Sequence, residues 1–297
     1  MSIPETQLDT WAHQGSVLQS SSTYGTIKGV LEGAQTPYAT KKFEVFLQGS
    51  YGNDTNIYAE SDVDIVIRLS DCFRHDLSEL SDGEKSAFQT AHSDATYTHT
   101  DFKRDVVQVL KAKYGDEATP GTKAVTIAAS GNRRKADVIA AIQFRRYHKF
   151  NGLSDQSYDE GICFYTSSGQ QIVNYPKQHS ANMTAKHQGS ALWFKPMVRI
   201  LKNLRCKLVD DGLIARDVAP SYYLEGLLYN VPDGQFGSSY GDSFVNCIKW
   251  IQAADRSKFV CANKQYYLLR DGSPVTWRTA QCDQFLAAAV ALWNGWK

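Results

Sequence analysis

The chain has 6 cysteines (Cys72, Cys163, Cys206, Cys247, Cys261 and Cys282) but no C-x-x-C pair, which excludes zinc-ribbon spacing and a dense disulfide framework. It also lacks an excess of either charge. Its 32 Lys and Arg stand against 31 Asp and Glu, a net charge of +1, so no global field draws it to nucleic acid or to a membrane surface. No apolar run approaches the roughly 20 residues of a membrane helix, and the opening MSIPETQLDTWAHQG has no apolar secretory core. Internal repeats and low-complexity tracts are absent too. These absences predict a cytoplasmic protein in a reducing setting, with no membrane and no stable nucleic-acid partner. What the chain does have is apolar mass: 42% hydrophobic residues and 12% aromatic, with 16 Tyr, 13 Phe and 6 Trp in 297 residues. That excludes a disordered chain and suffices for one large domain or two modest ones.

Hydrophobic spacing predicts helix, break and helix over residues 5–33, with Leu8, Trp11 and Ala12 on one face. Phe43, Val45 and Leu47 alternate as in a half-buried strand, and Val63, Ile65, Ile67 and Leu69 do so again. Between them lies a turn cluster, residues 48–54. Residues 71–95 read as a polar loop with helical parts, and 98–114 as a helix with Thr100 as cap. Strands follow at Ala124–Ala128 and Ala136–Ile142, then a hairpin around Ser168-Gly169. After Pro176 the texture turns helical, with helices expected over 189–211, from Pro220-Ser221 to Asn230, over 239–254 and over 279–296. YYLLRDGSPVTW between the last two has β-character. The expected division is 1–180, mixed α and β with an N-terminal helix free to pack on the back half, and 181–297, mostly helical.

The informative segment is Gly49-Ser50 followed by Ser61-Asp62-Val63-Asp64-Ile65. Residues two apart on a strand share a face, so Asp62 and Asp64 set two carboxylates side by side while Val63 and Ile65 face the core. Like charges that close favour a proton or a divalent cation, and hard oxygen donors suit Mg²⁺. Asp137, opening a separate apolar strand, is the candidate third acid. Three acids at one sheet edge would support a pair of ions clamping an in-line phosphoryl displacement. Gly49 lets the backbone approach a phosphate, and Ser50 adds a hydroxyl donor.

LQGSYGNDTNIYAESDVDIVI together with KADVIAAI resembles the DNA polymerase β-like nucleotidyltransferases, and within them the cGAS/DncV-like enzymes of bacterial antiphage signalling. The resemblance spans most of the chain and is sharp at residues 47–67, around 137, and more loosely at 195–228. It implies an α+β fold: a polymerase β-like core with a mixed sheet and a helical C-terminal domain of the poly(A)-polymerase/oligoadenylate-synthase kind, sharing a central cleft. It implies two Mg²⁺ or Mn²⁺ ions on Asp62, Asp64 and Asp137, and a phosphate turn at Gly49 and Ser50. Nucleoside triphosphates, ATP and GTP first, are the implied substrates, and a cyclic dinucleotide containing a purine, such as cGAMP, the implied product. An operon-encoded regulatory or conjugating partner, with the C-terminal Asn294-Gly295-Trp296-Lys297 as a conjugation site, and a monomeric state complete the expectation. The zinc-binding insertion of the animal enzyme has no counterpart. The rival reading is a nucleotidyltransferase that moves one NMP onto an antibiotic or a protein.

Other contacts stay open at this level. Lys202 is either a lysine on the triphosphate tail, as the resemblance suggests, or a snorkelling surface lysine. Ser221 is either an anion contact at a helix start or a plain cap. Tyr165, Tyr175, Tyr222 and Tyr223 either stack on bases or fill the core, and core packing is the better expectation for any one of them. Arg133, Arg134 and Lys135 either hold a nucleotide phosphate or form a solvated loop. His179 and His187 read as structural or surface residues.

Overall fold

The computed structural model describes residues 2–15, 17–59, 62–273 and 275–296. In chain order the elements are α1 (Glu5–Ala12), α2 (Leu18–Leu31), β1 (Phe43–Leu47), the single-turn α3 (Gly49–Gly52), β2 (Val63–Asp76), α4 (Asp82–Ala91) and α5 (His99–Tyr114). Then come β3 (Ala118–Pro120), β4 (Val125–Ile127), β5 (Ala136–Gly152), β6 (Asp155–Tyr165) and β7 (Gln171–Asn174). The helices α6 (Pro176–Gly189), α7 (Phe194–Asp210), α8 (Ser221–Tyr229), α9 (Tyr240–Ala253) and α10 (Thr279–Asn294) complete the chain. Two compact units share these elements: a sheet unit of residues 18–48 and 62–176, and a helical unit of residues 1–17, 49–61 and 177–297.

The sheet unit is built on one mixed seven-stranded sheet ordered β1-β2-β5-β4-β3, with β6 on the far stretch of β5 and β7 on β6. β2 and β5 run parallel, Val63 against Ala136 and Asp64 against Asp137. The VDIVIRL run reads as near-continuous apolar sequence because both faces are covered, as in buried parallel strands: Val63, Ile65, Val66, Ile67 and Leu69 are all fully buried. β2 runs on through a bulge between Leu69 and Phe73 and stays paired to β5 as far as Asp76. The polar stretch expected to be loop from residue 71 is therefore partly strand, because its backbone groups find partners whatever its side chains prefer. α4 then opens on a Ser81–Glu84 capping box. The cap of α5 is Thr98, not Thr100: the Thr98 hydroxyl accepts from the Asp101 N–H, and the Asp101 carboxylate accepts from the Thr98 N–H.

The helical unit has one apolar core. Phe194, Met197, Val198, Leu201, Leu204 and Leu208 of α7 meet Leu224, Leu227 and Leu228 of α8, Phe244 and Ile251 of α9, Phe285 of α10, and Leu8 and Ala12 of α1. Glu5 of α1 caps α9, its two oxygens accepting the Tyr240 and Gly241 N–H groups at 2.6 and 2.9 Å, where a carboxylate also meets the favourable end of the helix dipole. The helix expected over 189–211 is α7, which starts at Phe194 because Ala191 and Leu192 before it take positive φ of 48° and 70°; α6 ahead of that break was not expected as a helix. YYLLRDGSPVTW makes isolated bridges, Val260 with Tyr267 and Leu269 with Trp277, rather than strands. Pro274 and Lys297, in the expected turn and the expected conjugation site, lie outside the described residues. Where one cut was expected at 180, the chain passes between the units four times, after residues 17, 48, 61 and 176, with α1 and the segment after β1 belonging to the helical unit.

His148 on β5 places one ring nitrogen 2.8 Å from Glu79 and the other 3.1 Å from Asp159 on β6. The hydrogen bond to Glu79 leads in raising its pKa above the ordinary imidazole value. A raised folded pKa gives a stabilisation that is complete below the unfolded value and fades as pH climbs through the folded one. The melting temperature of the wild type should therefore exceed that of His148→Gln at about pH 6, and the gap should close toward about pH 9. A gap that stays constant in calorimetry across that range would remove His148 from this role.

Candidate active site

Within the sheet unit, the acids predicted from sequence come from neighbouring strands. Asp64 and Asp137 are paired residues of the parallel β2–β5 ladder, so their side chains leave the same face, and both are half-buried. Asp62 lies just outside β2 and is exposed. The ladder continues beyond the strand as the Val63 N–H donates to the Lys135 carbonyl at 3.0 Å. That brings the Lys135 ammonium to 2.5 Å from Asp62 and 3.7 Å from Asp137. The hydrogen bond to Asp62, helped by the charges of Asp137, Asp62 and Asp64, holds Lys135 above the usual lysine range. On its other side, Asp137 accepts a 2.6 Å hydrogen bond from the Thr126 hydroxyl of β4.

Among the described residues no three His, Cys, Asp or Glu side chains are already disposed around one ion. Of the acids expected to converge, Asp64 and Asp137 are in register, and Asp62 and Asp137 share the Lys135 ammonium. The donor set still fits a hard divalent ion, being all carboxylate oxygen, and the ammonium lodged against it shows that the group attracts positive charge. Lys135 is an exposed loop residue just before β5 that pairs with these acids. Arg133, open between a phosphate contact and a solvated loop, pairs with Glu117 at 2.5 Å and donates to the Ala128 carbonyl.

Within the helical unit, Gly49 takes φ 65°, which glycine adopts without strain, and Ser50 follows it in the one-turn α3. The segment closes on itself: the Asn53 N–H donates to the Gly49 carbonyl at 3.1 Å, and the Thr55 N–H to the Ser50 carbonyl at 2.9 Å. From α6, the Ser180 hydroxyl donates to the Gly52 carbonyl. Lys195, Arg199 and Lys202, at i, i+4 and i+7 of α7, fall on one helix face and hold the turn from behind. Lys195 pairs with the Asp54 carboxylate at 2.8 Å, and Arg199 donates to the Asp54 carbonyl at 2.7 Å.

Lys202 departs from its expected place on the triphosphate tail. It is 0% exposed, and its Nζ donates to the Thr55 carbonyl and hydroxyl, both at 3.1 Å, and to Glu225 of α8 at 3.0 Å. It is not a snorkelling surface lysine either. Glu225 accepts further from the Thr55 hydroxyl at 2.6 Å and from Asn53 at 3.4 Å, and meets His179 Nε2 at 2.8 Å. Burial alone would raise the Glu225 pKa, but the Lys202 charge, with the bonds from His179 and Thr55, outweighs it and keeps the carboxylate ionised below the usual range. Sequence reading missed Glu225, Thr55 and Lys195. The available signal was an acid in the apolar run SYYLEGLL, since a buried carboxylate demands a partner. His179 is buried as a structural histidine would be, at 3% exposure.

Ser221 opens α8 with its hydroxyl 3.4 Å from Arg205 Nη2, and Arg205 also donates to the Ala219 carbonyl at 3.0 Å. Tyr175 is fully buried with its ring edge-on to Phe144. Tyr222 stacks on His179 and Tyr223 lies parallel to Trp277; both are half-buried against the helical core. Tyr165 accepts from Arg74 Nε at 2.9 Å. A cavity of about 1210 Å³ in the sheet unit, lined by Arg74, His75, Phe88, His92, Tyr97 and Tyr165, contains none of the predicted acids or phosphate contacts and, of the candidate stacking rings, only Tyr165. It sits toward the far end of β2, and its polar lining is largely spent internally, Arg74 on Tyr165, Tyr97 on Asp105 and His92 on the Phe88 carbonyl. Size alone does not make it the reaction site.

A family model, the cGAS/DncV-like nucleotidyltransferase C-terminal helical domain, matches residues 181–294. The cyclic UMP-AMP synthase of Rhodothermus marinus (strain SG0.5JP17-172) is 40% identical over 298 residues, covering 100% of this chain and 99% of the relative. The chain belongs to the cGAS/DncV-like nucleotidyltransferases. The cyclic nucleotide synthase CdnE01 of Staphylococcus haemolyticus is 33% identical over 303 residues and covers 100% of both chains. The structure of the Rhodothermus marinus CdnE c-UMP-AMP synthase with Apcpp and Upnpp superposes with a TM-score of 0.89 at 38% identity, covering 99% of this chain and 97% of that one. This cGAS/DncV-like nucleotidyltransferase is an enzyme with the α+β fold expected from its sequence, a mixed-sheet core and a helical C-terminal region. No helix among its described residues is long and apolar enough to cross a membrane.

Removing one of two carboxylates in register relieves repulsion. In a chelator, Asp64→Asn should therefore melt no more than about 2 °C below the wild type, less than about 1 kcal/mol for a chain of this size. A drop several times larger would identify Asp64 as a structural group.

Proposed function

We propose that the chain condenses two nucleoside triphosphates into a cyclic dinucleotide that serves as a second messenger in antiphage defence. The register of Asp64 against Asp137 carries this reading, because it places two hard-oxygen donors from separate strands beside each other, as nucleotidyl transfer requires. The names of the full-length relatives support the cyclic product. Asp62, Asp64 and Asp137 would hold two divalent ions, Mg²⁺ or Mn²⁺, which when bound supply Lewis-acid polarisation of the α-phosphate and lower the pKa of the attacking ribose hydroxyl.

The remaining work falls to the chain's own groups. Gly49 keeps the backbone low at the triphosphate tail, and Ser50 offers its hydroxyl and N–H to phosphate oxygens. Lys195, Arg199 and Lys202 place positive charge behind that turn, so Lys202 acts on the tail through Thr55. Ser221, beside the Arg205 guanidinium, is the second phosphate contact. In each of two transfers a ribose oxygen bonds to an α-phosphorus, the bond to pyrophosphate breaks, and the hydroxyl proton passes to solvent. The product contains at least one purine. The name of the Rhodothermus marinus relative supports adenine, with uracil as partner base beside the guanine of the cGAMP expectation.

Purified protein given Mg²⁺ or Mn²⁺ and all four NTPs should yield a phosphatase-resistant cyclic dinucleotide by mass spectrometry, and Asp64→Asn should lower pyrophosphate release at least about a hundredfold. Product formation only after a non-nucleotide acceptor is added would overturn the cyclic reading in favour of NMP transfer.

A further inference from the structure

The structure assigns Thr55 as the positioning residue of the phosphate turn, an inference that rests on the proposed role of Gly49 and Ser50. Thr55 is 0% exposed, so it touches no substrate, yet it joins the turn to the helices behind it at three atoms. Its N–H closes the turn on the Ser50 carbonyl at 2.9 Å. Its carbonyl accepts from Lys202 at 3.1 Å. Its hydroxyl accepts from Lys202 at 3.1 Å and donates to Glu225 at 2.6 Å.

The hydroxyl is thereby fixed in both roles, donor to an anion and acceptor from a cation, and its rotation is settled by charge on either side. Lys202 comes from α7 and Glu225 from α8, so Thr55 reads the relative placement of two helices and passes it to Ser50 through one backbone hydrogen bond. A buried ion pair of this kind is an expensive way to stabilise a core. Its geometry makes sense as a device that fixes where the turn's donors point before the triphosphate arrives, which reduces the ordering cost of binding. Asn53 and His179, on the other Glu225 oxygen, fix the carboxylate so that its first oxygen stays on Thr55.

Thr55→Val keeps the shape and β-branching but deletes the hydroxyl, and Thr55→Ser restores it. With a non-hydrolysable ATP analogue, calorimetric titration should show Thr55→Val binding about tenfold more weakly and Thr55→Ser within about threefold of wild type, a tenfold loss being about 1.4 kcal/mol. In turnover, KM should rise by a similar factor for Thr55→Val while kcat at saturating NTP stays within about threefold, the pattern of a lost binding contribution. A merely structural role would reduce the folded fraction and so lower kcat with KM unmoved. Amide exchange should rise over residues 50–55 and stay at wild-type level elsewhere. If Thr55→Val melts too low to assay, the double variant Lys202→Met/Glu225→Leu, which removes both charges together, should show the same weakened binding.

Thr55→Val binding as tightly as wild type, or Thr55→Ser losing as much as Thr55→Val, overturns the inference alone. Wild-type protein that binds neither the ATP analogue nor any NTP overturns the reading of the turn itself.

Discussion

Two carboxylates in register on neighbouring parallel strands repel each other, and the sheet must hold them there against that repulsion. It does so from behind. Val63, Ile65, Val138 and Ala136 are buried without remainder around the pair, so the strands cannot slide or turn without exposing apolar surface worth roughly 1.5–3 kcal/mol for each large side chain. A one-residue slip would also send Asp64 to the opposite face from Asp137. Apolar packing thus fixes an arrangement that electrostatics alone would loosen, and the Lys135 ammonium offsets part of the repulsion.

The helical unit solves a different problem. The turn buries its own Tyr51, Asn53 and Thr55, and it is fastened further by charged groups reaching in from α7 and α8. Those charges are buried, which is costly unless each finds a partner. Each does: Lys195 has Asp54, and Lys202 has Glu225 and Thr55. Electrostatics therefore acts against the site in the sheet and for it in the helices.

Much of this was legible in the residues. Alternation marked β1 and β2, and the two-residue spacing of Asp62 and Asp64, with Asp137 opening another apolar run, pointed to the sheet edge. Pairing partners were not legible, because a strand's neighbour is a tertiary choice: nothing local in residues 71–76 foretold that a polar stretch would stay on the β5 ladder. The cap of α5 was misplaced by two residues because two threonines compete there and only the reciprocal bond with Asp101 decides. Lys202 was singled out but aimed outward, since a lone lysine on an apolar helix carries no record of the acid 23 residues later that claims it. Core packing was the better expectation for the candidate tyrosines, but how deep each ring goes depends on what packs opposite: Tyr175 is fully buried, and Tyr222 and Tyr223 only half-buried.

The path of the backbone between the two units carries one more consequence. The chain passes from one to the other after residues 17, 48, 61 and 176, so neither unit is a continuous stretch that could be excised or shuffled whole. A fragment beginning at residue 181, where the family's helical-domain match starts, would leave behind Leu8 and Ala12 of its own interior and the Glu5 lid on α9. Such a fragment inherits an open wound in its core. Cutting the chain at that boundary would therefore cost the helical unit part of its own core and its α9 cap.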